Sequence, residues 1–242
     1  MLLILLRLLR SLLSYLLAAI ILIIFAIPGT FFLLLPERWR FSSRLFYWWI
    51  HITYIALLKS TFLSITVRGA ENIPKKPVII VANHQSVLDV PLVGVLVGGF
   101  PHIWLAWVAL YKWFALGLLI RRLSIPIDVS SLQKAVSSLR KAVDTLQKYK
   151  AHAMVFPEGQ RNTDGKVHEF FSGFVLLARK TGRPVIPVRI FNINKVYPPG
   201  SFLAYWYPIY VVVGKPMYLQ EGESDEVFKN RVYQWFLEQT ER

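Results

Sequence analysis

His84 and Asp89 stand five positions apart at the end of the run Val78-Ile79-Ile80-Val81-Ala82-Asn83, and they are the residues best suited to chemistry. An imidazole exchanges protons near neutral pH. A carboxylate on one ring nitrogen fixes the tautomer and leaves the other nitrogen to accept a proton. Together they make a general base with its orienter. Taken alone, His-x-x-x-x-Asp more often reads as a turn-capping His and a helix-capping Asp. A second cluster, Pro157-Glu158-Gly159-Gln160-Arg161-Asn162, shifts that balance. Arg161 offers a planar fork that suits phosphate or carboxylate. Gly159 lets the backbone approach a ligand closely. Glu158 can accept from a hydroxyl or hold the Arg.

Both clusters follow short apolar segments. Val78–Ala82 reads as a strand buried on both faces, and Met154–Phe156 as another. In open α/β sheets, ligands bind beyond the carboxyl ends of the strands. A helix that begins near Ser86 or Val87 puts Asp89 in its first turn, within reach of His84. Residues 64–77 read as a strand and then a turn, and further strands are expected at 103–109, 184–190 and 209–214, with Pro187 requiring a sheet edge or a bulge. Short helices are expected at 91–99 and 174–180, the second closed by Gly182. Residues 131–150 carry the clearest amphipathic stripe, Leu132, Ala135, Val136, Leu139, Ala142, Val143 and Leu146, capped by Ser130 or Ser131. A terminal helix from Asp225 presents Val227, Phe228, Val232, Trp235 and Phe236 on one face. These elements give an α/β fold, a mixed and mostly parallel sheet flanked by helices.

The chain of 242 residues is 55% hydrophobic and 17% charged, which is too apolar for an ordinary soluble enzyme. Its net charge of +14 favours an anionic surface. High apolarity and the lack of any nucleic-acid motif favour lipid headgroups, with no nucleic-acid partner expected. The chain has no Cys, which excludes a disulfide framework and a thiol nucleophile. Residues 11–35 carry no charge, enough length for a membrane helix. A second apolar helix is expected over 41–65, joined to the first at Pro36. Residues 1–62 thus form a membrane-associated two-helix hairpin, and 63–242 the α/β domain. Two spans, or a plug within one leaflet, are both open. Anchoring from the cytoplasmic side, with the active site on that face, is preferred.

Asn83-His84-Gln85-Ser86-x-x-x-Asp89 resembles the first motif of the glycerolipid acyltransferase family, whose best-known bacterial members are lysophosphatidic acid acyltransferases. Phe156-Pro157-Glu158-Gly159-Gln160-Arg161 resembles the third, with Gln160 in place of the usual Thr. Ile125-Pro126-Ile127-Asp128 and Val185-Ile186-Pro187-Val188 resemble the second and fourth. Two cations usual in the family are replaced, by Val129 and Ser172. The resemblance spans residues 65–218 and implies an O-acyltransferase that needs no cofactor and no metal. The donor would be acyl-CoA or an acyl carrier protein. The acceptor would be a lysophospholipid, lysophosphatidic acid first, with a lyso-aminolipid, a glycolipid or a lysophosphodiester as the alternative. His84 and Asp89 would be catalytic. Asn83, Ser86, Glu158, Gly159, Arg161 and Arg122 would bind substrate, with Arg121, Lys166 and Arg189 as further cations near the motifs. On this reading Asp89→Asn would free the wrong imidazole tautomer. A metal hydrolase using His84, Asp89 and Glu158 is disfavoured, since five His form no tight cluster with carboxylates. A membrane-tethered basic binding protein would leave both strand-end motifs without a role.

Overall fold

A computed structural model describes residues 2–112, 114–198 and 200–241. Its centre is a sheet in the order β1-β7-β6-β2-β5-β3-β4. The strands are β1 (Ile65–Arg68), β2 (Ile79–Ala82), β3 (His102–Trp107), β4 (Ser124–Ile127), β5 (His152–Val155), β6 (Val185–Phe191) and β7 (Ile209–Val213). All neighbours pair in parallel except β6 and β7. Every residue of β2 and β6 is buried, as their unbroken apolar sequences require of strands covered on both faces. β2 lies between β5 and β6, so the turns after β2 and β5 meet at one edge.

Pro187 sits inside the sheet, in β6. The break it needs lies on the partner strand. Val188 pairs with Val213 and Val185 with Met217, so one extra residue is accommodated beside Pro187.

The helices are α1 (Leu2–Leu34), α2 (Glu37–Arg40), α3 (Arg44–Lys59), α4 (Asp89–Leu96), α5 (Phe114–Leu123), α6 (Leu132–Tyr149), α7 (Gly173–Thr181), α8 (Ile193–Val196) and α9 (Asp225–Glu238). Ser131 caps α6 by accepting from the Lys134 N–H, and Ser224 caps α9 in the same way through Val227. The expected stripe of α6 is buried only in its second half. Leu132 and Val136 stay exposed, while Ala142, Val143 and Leu146 join the core. On α9, Phe228, Val232 and Phe236 face inward, but Val227 faces out.

The two N-terminal helices differ in their surroundings. α1 is the helix long and apolar enough to cross a membrane by length and composition, and most of it is uncovered. It passes through Pro28 without ending. α3 instead packs into the body. Phe46, Tyr47 and Ile50 share a core cluster with Ile79, Val81 and Ile103 of the sheet. Gly94 of α4 lets the Tyr54 ring lie directly on that helix's backbone. α1 is fastened at both ends. Near its start, Ser11 accepts from the Ala204 N–H and Tyr15 donates to the Phe202 carbonyl. Near its finish, Phe32 packs against Phe46 and Trp49 with tilted rings.

His102 and His152 are paired across β3 and β5 in the interior. Burial pushes them down to about 4 and about 3. Both are neutral in the fold, and the His152 Nδ1 accepts from the Val78 N–H. The unfolded chain binds these protons near the ordinary imidazole value, so stability is full above that value and falls as pH drops from about 6.5 toward 4. The thermal midpoint in detergent should fall over this window, and His152→Gln should flatten the dependence. A wild-type midpoint unchanged between pH 7.5 and 5 would show that these groups do not couple to folding.

Candidate active site

β2 ends at Ala82, and the next seven residues form a closed hydrogen-bonded turn. Asp89 opens α4 and is fully buried. Its Oδ2 lies 2.8 Å from the His84 Nδ1 and also accepts the backbone N–H groups of Gln85 and Ser86. Three donors on one oxygen fix both the carboxylate and the ring. The imidazole stacks 4.0 Å from the Phe156 ring at 9°, and Trp104 stacks on Phe156 in turn. With Nδ1 engaged, Nε2 is the nitrogen left to take a proton.

The turn after β5 supports this one. Glu158 is buried, and its carboxylate accepts three donors: the His84 N–H at 2.9 Å, the Asn162 side-chain amide at 2.7 Å and the His168 N–H at 3.0 Å. Asn162 returns the tie by donating its backbone N–H to the His84 carbonyl. The two strand-end motifs are therefore one hydrogen-bonded unit. Gly159 has φ 71°, and a Cβ there would meet Phe171 at 2.9 Å and Trp107 at 3.2 Å. That position needs glycine both for its backbone and for its neighbours.

This geometry revises several expected roles. Asn83 has its side-chain amide engaged within the sheet. It is buried and exchanges two hydrogen bonds with the Ile190 backbone, clamping the end of β2 to β6. Glu158 does not hold Arg161, because its oxygens are occupied by His84, Asn162 and His168. Ser86 is buried and its hydroxyl accepts from the Leu88 N–H within the turn. The N–H groups of His84, Gln85 and Ser86 all serve carboxylates, so none is free for an oxyanion. Arg122 lies elsewhere. It closes α5 just before β4, at the amino ends of the strands and opposite His84, where its charge helps lower the Arg40 pKa after burial. Arg121 donates to the Tyr111 carbonyl in the same region.

Arg161 stays beside the site. It is exposed, adjoins Asn162, and makes no hydrogen bond or ion pair among the described residues. The N–H groups of Gln160 and Arg161 likewise form no hydrogen bond among the described residues. Val129 and Ser172 are exposed, and Lys134 near Val129 pairs with Asp128 at 3.8 Å. Arg189 is buried on β6, over the Phe191 ring at 4.8 Å. Burial pushes its pKa down, and the nearby charges of Glu158 and Glu241 push it back up. His168 goes unnoticed in the sequence, and Asn162 and Phe156, though they stand in or beside the second cluster, are given no role there. Asn162 and His168 reach Glu158 from 4 and 10 positions away, but the contacts of Asn162 and Phe156 with His84 cross the chain, and no spacing signals those.

The model of the family described as Acyltransferase matches residues 64–191, which contain both turns. The chain belongs to the acyltransferase family. The crystal structure of the 1-acyl-sn-glycerophosphate (LPA) acyltransferase PlsC from Thermotoga maritima shares the family fold with a TM-score of 0.76 at 28% identity, covering 96% of this chain and 94% of that one. A chloroplastic 1-acyl-sn-glycerol-3-phosphate acyltransferase of Brassica napus is 29% identical over 83% of this chain and 58% of its own length. The 1-acyl-sn-glycerol-3-phosphate acyltransferase of Pseudomonas aeruginosa is 34% identical over 65% of this chain and 60% of its own. The chain thus spans about three fifths of the length of these two acyltransferases.

Proposed function

We propose that this chain moves a fatty acyl group from a thioester, acyl-CoA or acyl carrier protein, to the hydroxyl of lysophosphatidic acid, giving phosphatidic acid. The observation that carries the reading is the His84 Nδ1–Asp89 Oδ2 contact at 2.8 Å, held by two further backbone donors. His84 Nε2 takes the proton of the acceptor hydroxyl as its oxygen attacks the thioester carbonyl. Asp89 stabilises the imidazolium that forms. The C–O bond forms, the C–S bond breaks, and the departing thiolate takes the proton back from His84. The N–H groups of Gln160 and Arg161 supply donors for the negative charge that develops on the carbonyl oxygen or sits on the acceptor phosphate. Likeness to the named acyltransferases supports the acceptor, and the exposed guanidinium of Arg161 supports an anionic one.

α1 anchors the chain within residues 1–62, while α3 docks as part of the α/β body. We place the site on the cytoplasmic side of the membrane, in keeping with a chain that has no Cys. Lysophospholipid, thioester donor and membrane lipid are its partners.

The test compares kcat/KM for lysophosphatidic acid, lysophosphatidylglycerol and an uncharged monoacyl lipid. Wild type should prefer lysophosphatidic acid. Arg161→Ala should lose about 10- to 100-fold on it, the worth of one hydrogen bond to a charged group, and far less on the uncharged lipid. Arg122→Ala should leave the order unchanged. A wild type that prefers the uncharged lipid would remove the phosphomonoester acceptor. The exposed Val129 and Ser172, where the family usually carries cations, would then favour the neutral or singly charged alternatives.

A further inference from the structure

We infer that the segment between α8 and β7 is a second lipid-contacting element, seated on the start of α1 and level with the mouth of the site. The sequence from 196 to 214 contains no charged residue but carries Tyr197, Phe202, Tyr205, Trp206, Tyr207 and Tyr210. Phe202 is 60% exposed and Trp206 54%. Neighbouring Phe62, whose carbonyl accepts from the Trp206 indole, is 45% exposed. Large aromatics left bare on a segment without charges are unfavourable in water and suit the headgroup–acyl boundary, where an apolar ring can keep a polar tip hydrated.

The occupant follows from what this patch adjoins. One side of the first turns of α1 turns toward the segment. Arg7 lies 5.0 Å over the Tyr205 ring, and Arg10 reaches the Ala204 carbonyl. Ser11 and Tyr15 bond to Ala204 and Phe202. The opposite side of those turns exposes Leu5, Leu9, Leu12 and Leu16. Leu6 and Leu13, on a flank between those two sides, are exposed as well, so the aromatic patch adjoins the apolar surface of the one candidate membrane helix among the described residues. Arg7, Arg10 and Lys195, which lies 5.6 Å over Tyr207, border it with positive charge suited to anionic headgroups. The segment leaves from the carboxyl end of β6, the edge that carries His84. Bilayer contact here brings the mouth of the site to the lipid surface, so an acceptor reaches it without entering bulk water. The inference rests on the membrane placement proposed above and is independent of the acyl-transfer chemistry.

The absence of native Cys gives a direct test. Phe202→Cys, Ile23→Cys on α1 and Lys180→Cys at the end of α7 are each labelled with an environment-sensitive fluorophore in the full chain. All three native side chains are exposed, so the fold is kept. Each labelled protein is reconstituted in phosphatidylcholine–phosphatidylglycerol vesicles with and without brominated acyl chains. The Phe202 label should be quenched within about twofold of the Ile23 label and at least about fivefold more than the Lys180 label, as a shallow interfacial site requires. A Phe202 label as unquenched as Lys180, beside a quenched Ile23, would overturn the inference. So would protection without quenching that rises with protein at fixed lipid, which would mean that a second copy covers the patch. Neither readout uses acyl transfer, so failure of the chain to act on lysophosphatidic acid would not change what the quenching shows.

Discussion

On the proposed mechanism, replacing His84 with Ala should lower kcat by about three orders of magnitude while the protein remains folded, because the base is lost but the hydrogen bonds around it persist. The His84 N–H still reaches Glu158, and Asp89 still accepts from Gln85 and Ser86. Asp89→Asn behaves differently from what the sequence suggests. Oδ2 holds the ring nitrogen and both backbone donors, whereas Oδ1 is buried with no partner. The amide oxygen of Asn therefore takes the Oδ2 position, since the reverse orientation would set its NH2 against two N–H groups. The ring keeps its tautomer and loses only the negative charge that stabilises the imidazolium. The expected loss is about 100-fold, smaller than the tautomer-flipping case. Equal losses for His84→Ala and Asp89→Asn would contradict this geometry. A folded His84→Ala at the wild-type rate would end the mechanism.

The second large effect belongs to Glu158. A buried carboxylate that accepts three donors cannot be replaced by an amide without setting NH2 against N–H. Glu158→Gln should cost about 3 kcal/mol in urea unfolding and lower kcat as well, because the His84 backbone loses its tether. The check is a paired measurement of unfolding free energy and kcat in the same detergent. Wild-type stability in Glu158→Gln would show that the two turns are held together by something else.

His84 and Asp89 are legible in the sequence because everything that joins them is local. A strand ends, a turn follows, and a helix opens on the Asp. Asn83 and Glu158 pass for substrate contacts because their partners lie 107 and 74 residues away. A buried clamp and a ligand donor have the same residue type. Arg122 is misplaced by the sequence for a topological reason. In a parallel sheet, a residue just before a strand lands at the opposite edge from one just after it. Arg161 follows β5, whereas Arg122 precedes β4, a four-residue strand whose Pro126 hides it from any strand pattern. α3 is harder to read from its sequence, since aromatics such as Trp48, Trp49 and Tyr54 suit a membrane interface and a protein core equally well, and the helix buries Phe46 and Tyr47 in the core while leaving Leu45 and Trp48 exposed. Hydropathy does not separate these environments, and only the packing partners do.

The fastening of α1 at both ends has a consequence for the membrane itself. A helix of 33 residues is about 50 Å long. With residues near 11 and near 32 both fastened to the α/β body, a helix that anchors the chain as proposed above lies along the membrane surface with that body on one side. On the acyl-transfer reading, acceptor is then drawn from one leaflet and product returned to that same leaflet. Each turnover adds a second chain to a single-chain lipid on that side alone, changing the lateral pressure of one monolayer and leaving the other untouched. The curvature stress so produced must be relieved by lipid transfer between leaflets, a step that acyl transfer does not itself perform.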